Sequence, residues 1–359
     1  MDRRLFQDIT CTKAARPGWN PRRVALTAIS AALLLMTVLT IGYGLYLLAQ
    51  FPSWKFIPGL FLVLVGIELR PRVPRLNRTY GKLSPAQAPD TFAVVEQVAK
   101  RLGAEVPAML YVDETFNAAC ARSGLRRTPV LVIGLSLWGG LSPDGRAALL
   151  GHELGHLVNN DPRVGLLTQP ALTTFYRLAY LLDPRGMVGR SGADLGLAWL
   201  IGRLVLLPFA WVCQRIHLVL CALAAGDSRR AEYLADELAL LIGGTAGATE
   251  LVRTLVAGDA VYTAVRRAAT SGAPVTDWLP AAAEARRQAG GDLRLREQRS
   301  IRREASTLAS HPPNGLRSRV LATRDEQPPA LTIEPRQWLN SDAELAPYYE
   351  RARRALSRR

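Results

Sequence analysis

Sulfur and histidine are scarce in this chain of 359 residues, which has four cysteines, four methionines and four histidines. Cys11, Cys120, Cys213 and Cys221 form no C-x-x-C pair, and Cys213 and Cys221 stand too far apart on one apolar stretch to bridge. A disulfide-stapled scaffold is therefore excluded, and all four read as reduced thiols of a largely cytosolic protein. Acids are also few: 30 Asp and Glu face 45 Lys and Arg, a net charge of +15. No nucleic-acid-binding motif accompanies that charge, and the bases cluster beside apolar runs, so no nucleic-acid partner is expected. No internal repeat is visible. Charged residues make up only 21% of the chain and apolar ones 49%, too apolar for disorder.

The apolar excess is concentrated in a few runs. Val24 to Ala49 is a stretch of 26 residues without a formal charge, about 39 Å of helix against a hydrocarbon core of about 30 Å. A cleaved signal peptide would have an apolar region of only about 7–15 residues before a small-residue cleavage site. A retained transmembrane helix is expected instead. Phe56 to Ile67 is a second run, of 12 residues, expected to be a short crossing back or otherwise a re-entrant segment. Arg3, Arg4, Lys13, Arg16, Arg22 and Arg23 precede the first run, Lys55 alone separates the two, and Arg70, Arg72, Arg75, Arg78 and Lys82 follow. Because Lys and Arg accumulate on the cytoplasmic side, the hairpin should begin and end there, in a multi-pass protein of the cell membrane with the lipid bilayer as a partner.

Val164 to Leu182 and Leu195 to Ala225 form a second apolar pair around a Gly- and Pro-containing loop, Asp183 to Asp194. Arg177, Arg203, Arg215 and His217 interrupt it, so it either spans with its charges turned inward or lies half buried on the soluble domain. Elsewhere, Thr91 to Leu102 has helical apolar spacing, while Ala108 to Val112 and Thr128 to Leu137 read as strands. Ser142-Pro143 offers an N-cap followed by proline at the first helical position. Glu284 to Glu304, with seven Arg and four acids, reads as a salt-laced surface helix, or alternatively as a membrane-surface contact.

The most informative string is Gly151-His152-Glu153-Leu154-Gly155-His156. Residues four apart share a helix face, so His152 and His156 are placed to bind one Zn²⁺ at about 2.0–2.1 Å. Glu153 then lies beside the metal, where a carboxylate takes a proton from a bound water. A metzincin would have glycine at 159 and histidine at 162; Asn159 and Pro162 exclude that class. The third ligand must come from farther along, and Glu232 stands out among the later acids. It sits in Ser228-Arg229-Arg230-Ala231-Glu232-Tyr233-Leu234-Ala235-Asp236. Asp236, one turn on, is expected to accept the free ring N–H of a ligating histidine. The bland alternative is a solvated acidic face pairing with Arg229 and Arg230.

These strings resemble the HtpX-type membrane zinc metallopeptidases, relatives of the CAAX-prenyl endopeptidases. The resemblance rests on HELGH, on Ser-Arg-x-x-Glu-Tyr-x-Ala-Asp, and on His311-Pro312-Pro313 with Arg317 beyond, and covers about Val24 to Leu321. It implies one zinc per chain, held by two histidines and a distant glutamate, and endoproteolysis of membrane or misfolded polypeptides at a cytosol-facing site. It brings the HPP segment close to the zinc, where His311 either donates to the oxyanion or caps a turn. Arg229 matches the family's arginine three residues before the glutamate, with Glu153 or Asp236 as its expected partner. The resemblance also includes Asn117-Ala118 before the active helix and implies Asn117 as a substrate-binding residue; the substrate is expected to lie extended along the edge of the small sheet, against Thr128 to Leu137.

The fold class expected is α+β, mainly helical, with an N-terminal transmembrane hairpin and a zincin-like metallopeptidase domain containing a small sheet. The divisions are a basic cytoplasmic N-terminus (1–23), the hairpin (24–69), the peptidase domain (83–325, with the hydrophobic hairpin 164–225 inserted) and a C-terminal tail (326–359). The competing expectation is a non-catalytic membrane scaffold or sensor with a basic cytoplasmic domain.

Overall fold

The computed structural model describes residues 21–70, 81–123, 128–158, 173–182, 197–272, 274–304 and 311–358. The basic N-terminal residues up to Asn20 and the 183–194 loop lie outside this set. In chain order the elements are α1 (Pro21–Leu48), α2 (Phe56–Leu69), β1 (Gly81–Leu83), α3 (Pro89–Leu102), β2 (Met109–Asp113), β3 (Ala118–Ser123) and β4 (Thr128–Gly134). There follow α4 (Leu135–Trp138), α5 (Pro143–Val158), α6 (Leu197–Val256), α7 (Gly258–Thr270), α8 (Trp278–Gly290), α9 (Leu293–Glu304), α10 (Asn314–Leu321) and α11 (Pro335–Ser357). The fold class is the expected one, α+β and mainly helical, with a small sheet and an N-terminal apolar helix.

The chain divides into two compact units, one of Gly18–Val73 with Arg163–Asp227 and one of Met1–Pro17, Pro74–Pro162 and Ser228–Arg359. In the first of these, α1 contains a segment, Val24–Leu48, long and apolar enough to cross a membrane. Only 17% of its most apolar window is buried, whereas the core helix of a soluble protein hides most of that surface. Leu35, Val38, Leu39 and Tyr46 are open on it, as are Ile57, Phe61 and Leu64 on α2. α2 has 14 residues, about 21 Å at about 1.5 Å per residue. A second long apolar segment begins at Val205 in α6. Residues 173–182 are helical, and their Arg177 pairs with Glu68 of α2. His217 lies against Tyr176 and the Cys221 thiol, a packing role.

The other unit holds a four-stranded sheet in the order β1-β2-β4-β3. β4 pairs parallel with β2 and antiparallel with β3. It is therefore an inner strand, buried from Pro129 onward. That corrects the expectation that Thr128 to Leu137 offers a free edge: the run is strand only to Gly134, turns helical at Leu135, and has a neighbour on both sides. The edge strands are β1 and β3. On the opposite register, α3 packs Val94, Val95 and Val98 into the core, and its end is closed by Gly103 in the left-handed region.

α5 starts as the sequence suggests, with the Ser142 hydroxyl accepting the Gly145 N–H at 3.2 Å. From Gly145 to Gly155 all of its residues are buried. Two glycines four apart make that possible. A Cβ on Gly151 would lie 2.9 Å from the Leu238 carbonyl oxygen, and one on Gly155 3.3 Å from Cα of Ala235, so α5 and α6 cross almost backbone to backbone. α6 breaks at Gly244 (φ 66°), where Thr245 donates to the Gln327 carbonyl and Leu241 accepts from Ala330. The single helix expected over Glu284 to Glu304 is two, α8 and α9, separated at Gly291. The stretch expected as a tail contains α11, whose Trp338, Leu345 and Tyr349 are buried in the core.

The crossing sets the sign of a simple substitution. Alanine in place of a helical glycine ordinarily stabilises by about 1 kcal/mol, but crowding a tight contact costs about 1–3 kcal/mol. Gly151→Ala is expected to lower stability in a denaturant or thermal melt; a rise in the midpoint would show that the helices do not cross this closely.

Candidate metal centre

Helix α5 presents His152 and His156 from one face, and the close crossing brings Glu232 of α6 against both rings. His152 Nε2 lies 3.5 Å from Glu232 Oε2, and His156 Nε2 lies 3.5 Å from Glu232 Oε1. The two rings are 5.0 Å apart and nearly perpendicular. One ligand atom from each of the three residues lies within 4.8 Å of the others. Glu232 is 2% exposed, and its Oε2 accepts no hydrogen bond although it is buried. A buried carboxylate oxygen left without a donor is costly unless a cation takes it up. Two imidazoles and a carboxylate converging on one point are a donor set that fits a divalent metal ion.

Behind this group stands a second buried layer. Asp236 Oδ1 lies 3.1 Å from His152 Nδ1, and both its oxygens accept from Arg317, Nε at 2.8 Å and Nη2 at 2.6 Å. Arg317 is 4% exposed and reaches to 4.0 Å from Glu232 Oε2. The guanidinium seated on Asp236 comes from α10. Arg229 itself is buried three residues ahead of Glu232. Arg317 was visible in the sequence only as the arginine beyond His311-Pro312-Pro313; nothing in its spacing told that it would close over Asp236.

His311 contributes from the rim: its Nδ1 is 2.7 Å from Glu232 Oε1, while its side chain is 69% exposed. Glu153 is buried beside His152, and its Oε2 accepts the backbone N–H of Cys120 at 2.9 Å. That bond ties α5 to the β3 edge of the sheet, a link the sequence did not reveal. Asn117 is exposed at the start of β3, and its carbonyl accepts the Gly134 N–H at 2.8 Å. Hydrogen bonds alternate along an antiparallel pair, so with Asn117 facing β4, the backbone groups of Ala118, Cys120 and Arg122 point outward.

Burial and charge act against each other here. Desolvation pushes the Glu232 carboxyl up, but the His152 and His311 imidazoles outweigh it and hold the group well below the usual carboxylate range. Asp236 is likewise raised by burial and lowered overall by the Arg317 charge. Burial alone would strip His152 of its proton, yet the Asp236 and Glu232 carboxylates beside its ring push it up to about 10.

A profile of peptidase family M48 matches residues 85–325. The chain belongs to peptidase family M48. That is the family to which the HELGH, SRRAEYLAD and HPP strings pointed. Among M48 relatives, "Protease HtpX homolog" of Syntrophobacter fumaroxidans is 29% identical over 161 residues, 43% of this chain and 54% of the relative. The protein of the same name from Methanothermobacter thermautotrophicus is 24% identical over 236 residues, 62% of this chain and 83% of the relative. "Protease HtpX" of Pseudomonas putida is 28% identical over 162 residues, 42% of this chain and 50% of that protein. The chain thus spans about half the length of two of these three relatives. No solved structure matches significantly.

Two measurements test the buried layer. Asp236→Asn leaves the Arg317 charge buried without its counterion and is expected to cost about 3–5 kcal/mol in an unfolding titration; a loss within 1 kcal/mol would mean that the arginine has other compensation. Because both carboxyls are held below their unfolded values, they stabilise the fold above the ordinary carboxylate range. That contribution should fade as pH falls through their lower folded values, seen as a melting temperature that drops on acidification of the metal-free protein.

Proposed function

We propose that the chain is a membrane-anchored, zinc-dependent endopeptidase that hydrolyses peptide bonds of membrane or misfolded proteins, with its peptidase domain in the cytoplasm. The observation that carries this reading is the trio His152, His156 and Glu232, in which the Glu232 Oε2 beside His152 is buried without a hydrogen bond. Membership of family M48 and the names of its relatives support it. The open apolar faces of α1 and α2, and the clustering of bases on either side of them, support a multi-pass anchor with both ends of the hairpin in the cytoplasm.

His152, His156 and Glu232 would hold one zinc ion. When bound, it would supply Lewis acidity to a water molecule and to the scissile carbonyl. Asp236 accepts the outer N–H of His152 and fixes its tautomer, and Arg317 holds Asp236 in place for that task. Glu153 takes a proton from the attacking water and hands it to the departing amine nitrogen. His311, exposed on one side and touching Glu232 on the other, is positioned to donate to the carbonyl oxygen as charge develops on it. Substrate backbone would pair with the outward groups of β3, beginning at Ala118 just past the exposed Asn117, a mode indifferent to side-chain identity. Arg229, buried beside Glu232, supports this helix.

Glu153→Gln should retain zinc while lowering the cleavage rate of a casein-type substrate by about 10²–10⁴-fold. Undiminished proteolysis by the purified variant would remove Glu153 from this role. A second outcome follows from the His152 proton. The ring must lose that proton to hold a metal ion, so zinc affinity measured by chelator competition should rise about tenfold per pH unit between pH 6 and 8. A flat profile would mean that the ring is already neutral there.

A further inference from the structure

We propose that the outward face of α9 docks on an anionic phospholipid surface. This inference rests on the membrane-anchored reading above but not on peptidase activity. Both acids of α9 are turned towards α10. Glu297 is buried and accepts from the Ser318 hydroxyl at 2.7 Å and from Arg319 Nε at 3.2 Å. Glu304 accepts the Asn314 N–H at 2.8 Å, and between them the Ser300 hydroxyl accepts the Gly315 N–H at 2.9 Å. With its acids used on the inner side, α9 exposes Arg294, Arg299, Arg302 and Arg303, and among them Leu295, which is 45% exposed.

The bland account of such a segment is a surface helix laced by its own salt bridges, and it fits the neighbouring helices. Arg287 pairs with Glu284 on α8, and Arg353 and Arg354 pair with Glu350 on α11. It does not fit α9, where none of the four exposed arginines forms an ion pair among the described residues. Like charges three and four apart destabilise a helix by themselves, so this face gains from an external anion. A surface of negative headgroups supplies one without a fixed geometry, and a protein carrying α1 is never far from one. Leu295 adds an apolar side chain that can enter the headgroup boundary between the charges. Each arginine close to such a surface is worth about fivefold in local binding, and the attraction falls away beyond about 8 Å at physiological salt.

The test is amide hydrogen exchange of residues 293–304 in the full chain, reconstituted in nanodiscs of phosphatidylcholine alone or mixed with phosphatidylglycerol. Protection should rise at least about tenfold in the anionic discs, and the rise should vanish in 0.5 M salt, at about a 4 Å screening length. It should also vanish in a variant with Arg294, Arg299, Arg302 and Arg303 all replaced by Gln, and survive when all four are replaced by Lys. Equal protection in the two kinds of disc, or a rise that persists in the Gln variant, would overturn the assignment. So would protection conferred by an acidic peptide in neutral discs with none from phosphatidylglycerol, since the face would then read polypeptide. Exchange needs no catalysis, so failure here leaves the peptidase reading standing, and an active Glu153→Gln variant leaves this one standing.

Discussion

Where α5 crosses α6, no side chain separates the two backbones, and the site depends on that. Gly151 and Gly155 alternate with His152 and His156 along α5. One face of the helix is therefore stripped bare for contact while the adjoining face carries the two imidazoles. A crossing with ordinary side chains at the contact holds helix axes about 8–10 Å apart. At that separation, a glutamate on α6 would have to span the gap with its own flexible stem. Here the Glu232 carboxylate meets both rings while 2% exposed, so its position is set by packing rather than by side-chain reach. Gly243 and Gly247 continue the same device at the other end of the crossing, against Asp144.

Such a crossing creates an electrostatic problem, and the surrounding residues are its solution. Glu153, Glu232 and Asp236 are three buried carboxyls within one small region. Ionised carboxylates out of water cost several kcal/mol each unless they are compensated. Arg317 answers Asp236 with two hydrogen bonds, and a backbone N–H from β3 answers Glu153. Glu232 is left with an imidazole at the rim and an oxygen that no hydrogen bond satisfies. The neighbouring Asp236 and Glu232 carboxylates favour a positive charge on the His152 ring, which raises its pKa far above that of a free imidazole. The same electrostatic deficit that raises that pKa is what would draw in a divalent cation. Proton and metal are alternative answers to one buried charge.

The local chemistry was legible in the sequence because it is written in short range. HELGH specifies a helix face, Ser142-Pro143 specifies where that helix begins, and the acid one turn beyond Glu232 specifies an orienting partner. The uninterrupted run from Val24 to Ala49 likewise announces an apolar helix. What was not legible is what depends on three-dimensional neighbours. A run of buried residues such as Val130 to Ile133 looks the same whether its strand lies at an edge or in the interior, and pairing on both sides makes β4 interior. Ala118 to Ser123, with alanines, a cysteine and an arginine, has little strand character by composition, and sheet pairing overrides that. Arg317 lies within a few residues of a recognised motif, and only the packing of α10 brings it onto Asp236. Gly290-Gly291 is a stop signal inside the basic segment, masked in the sequence by a charge pattern that runs through it.

Sheet edge and buried carboxyls meet in the bond between Cys120 N–H and Glu153 Oε2. The outward groups of β3 form a ladder for an added strand, and one donor of that ladder is already committed to Glu153. On the proposed reading, a polypeptide pairing with Ala118 and Arg122 on either side of that donor would have its backbone registered against the carboxylate by the strand itself. Neither contact involves a substrate side chain. Recognition by backbone, with the proton acceptor built into the edge that does the recognising, suits substrates that share an unfolded segment and no sequence. It also explains why β3 can be built of small residues: Ala118, Ala119 and Ala121 keep the approach clear, and the specificity of the strand lies in its register with β4.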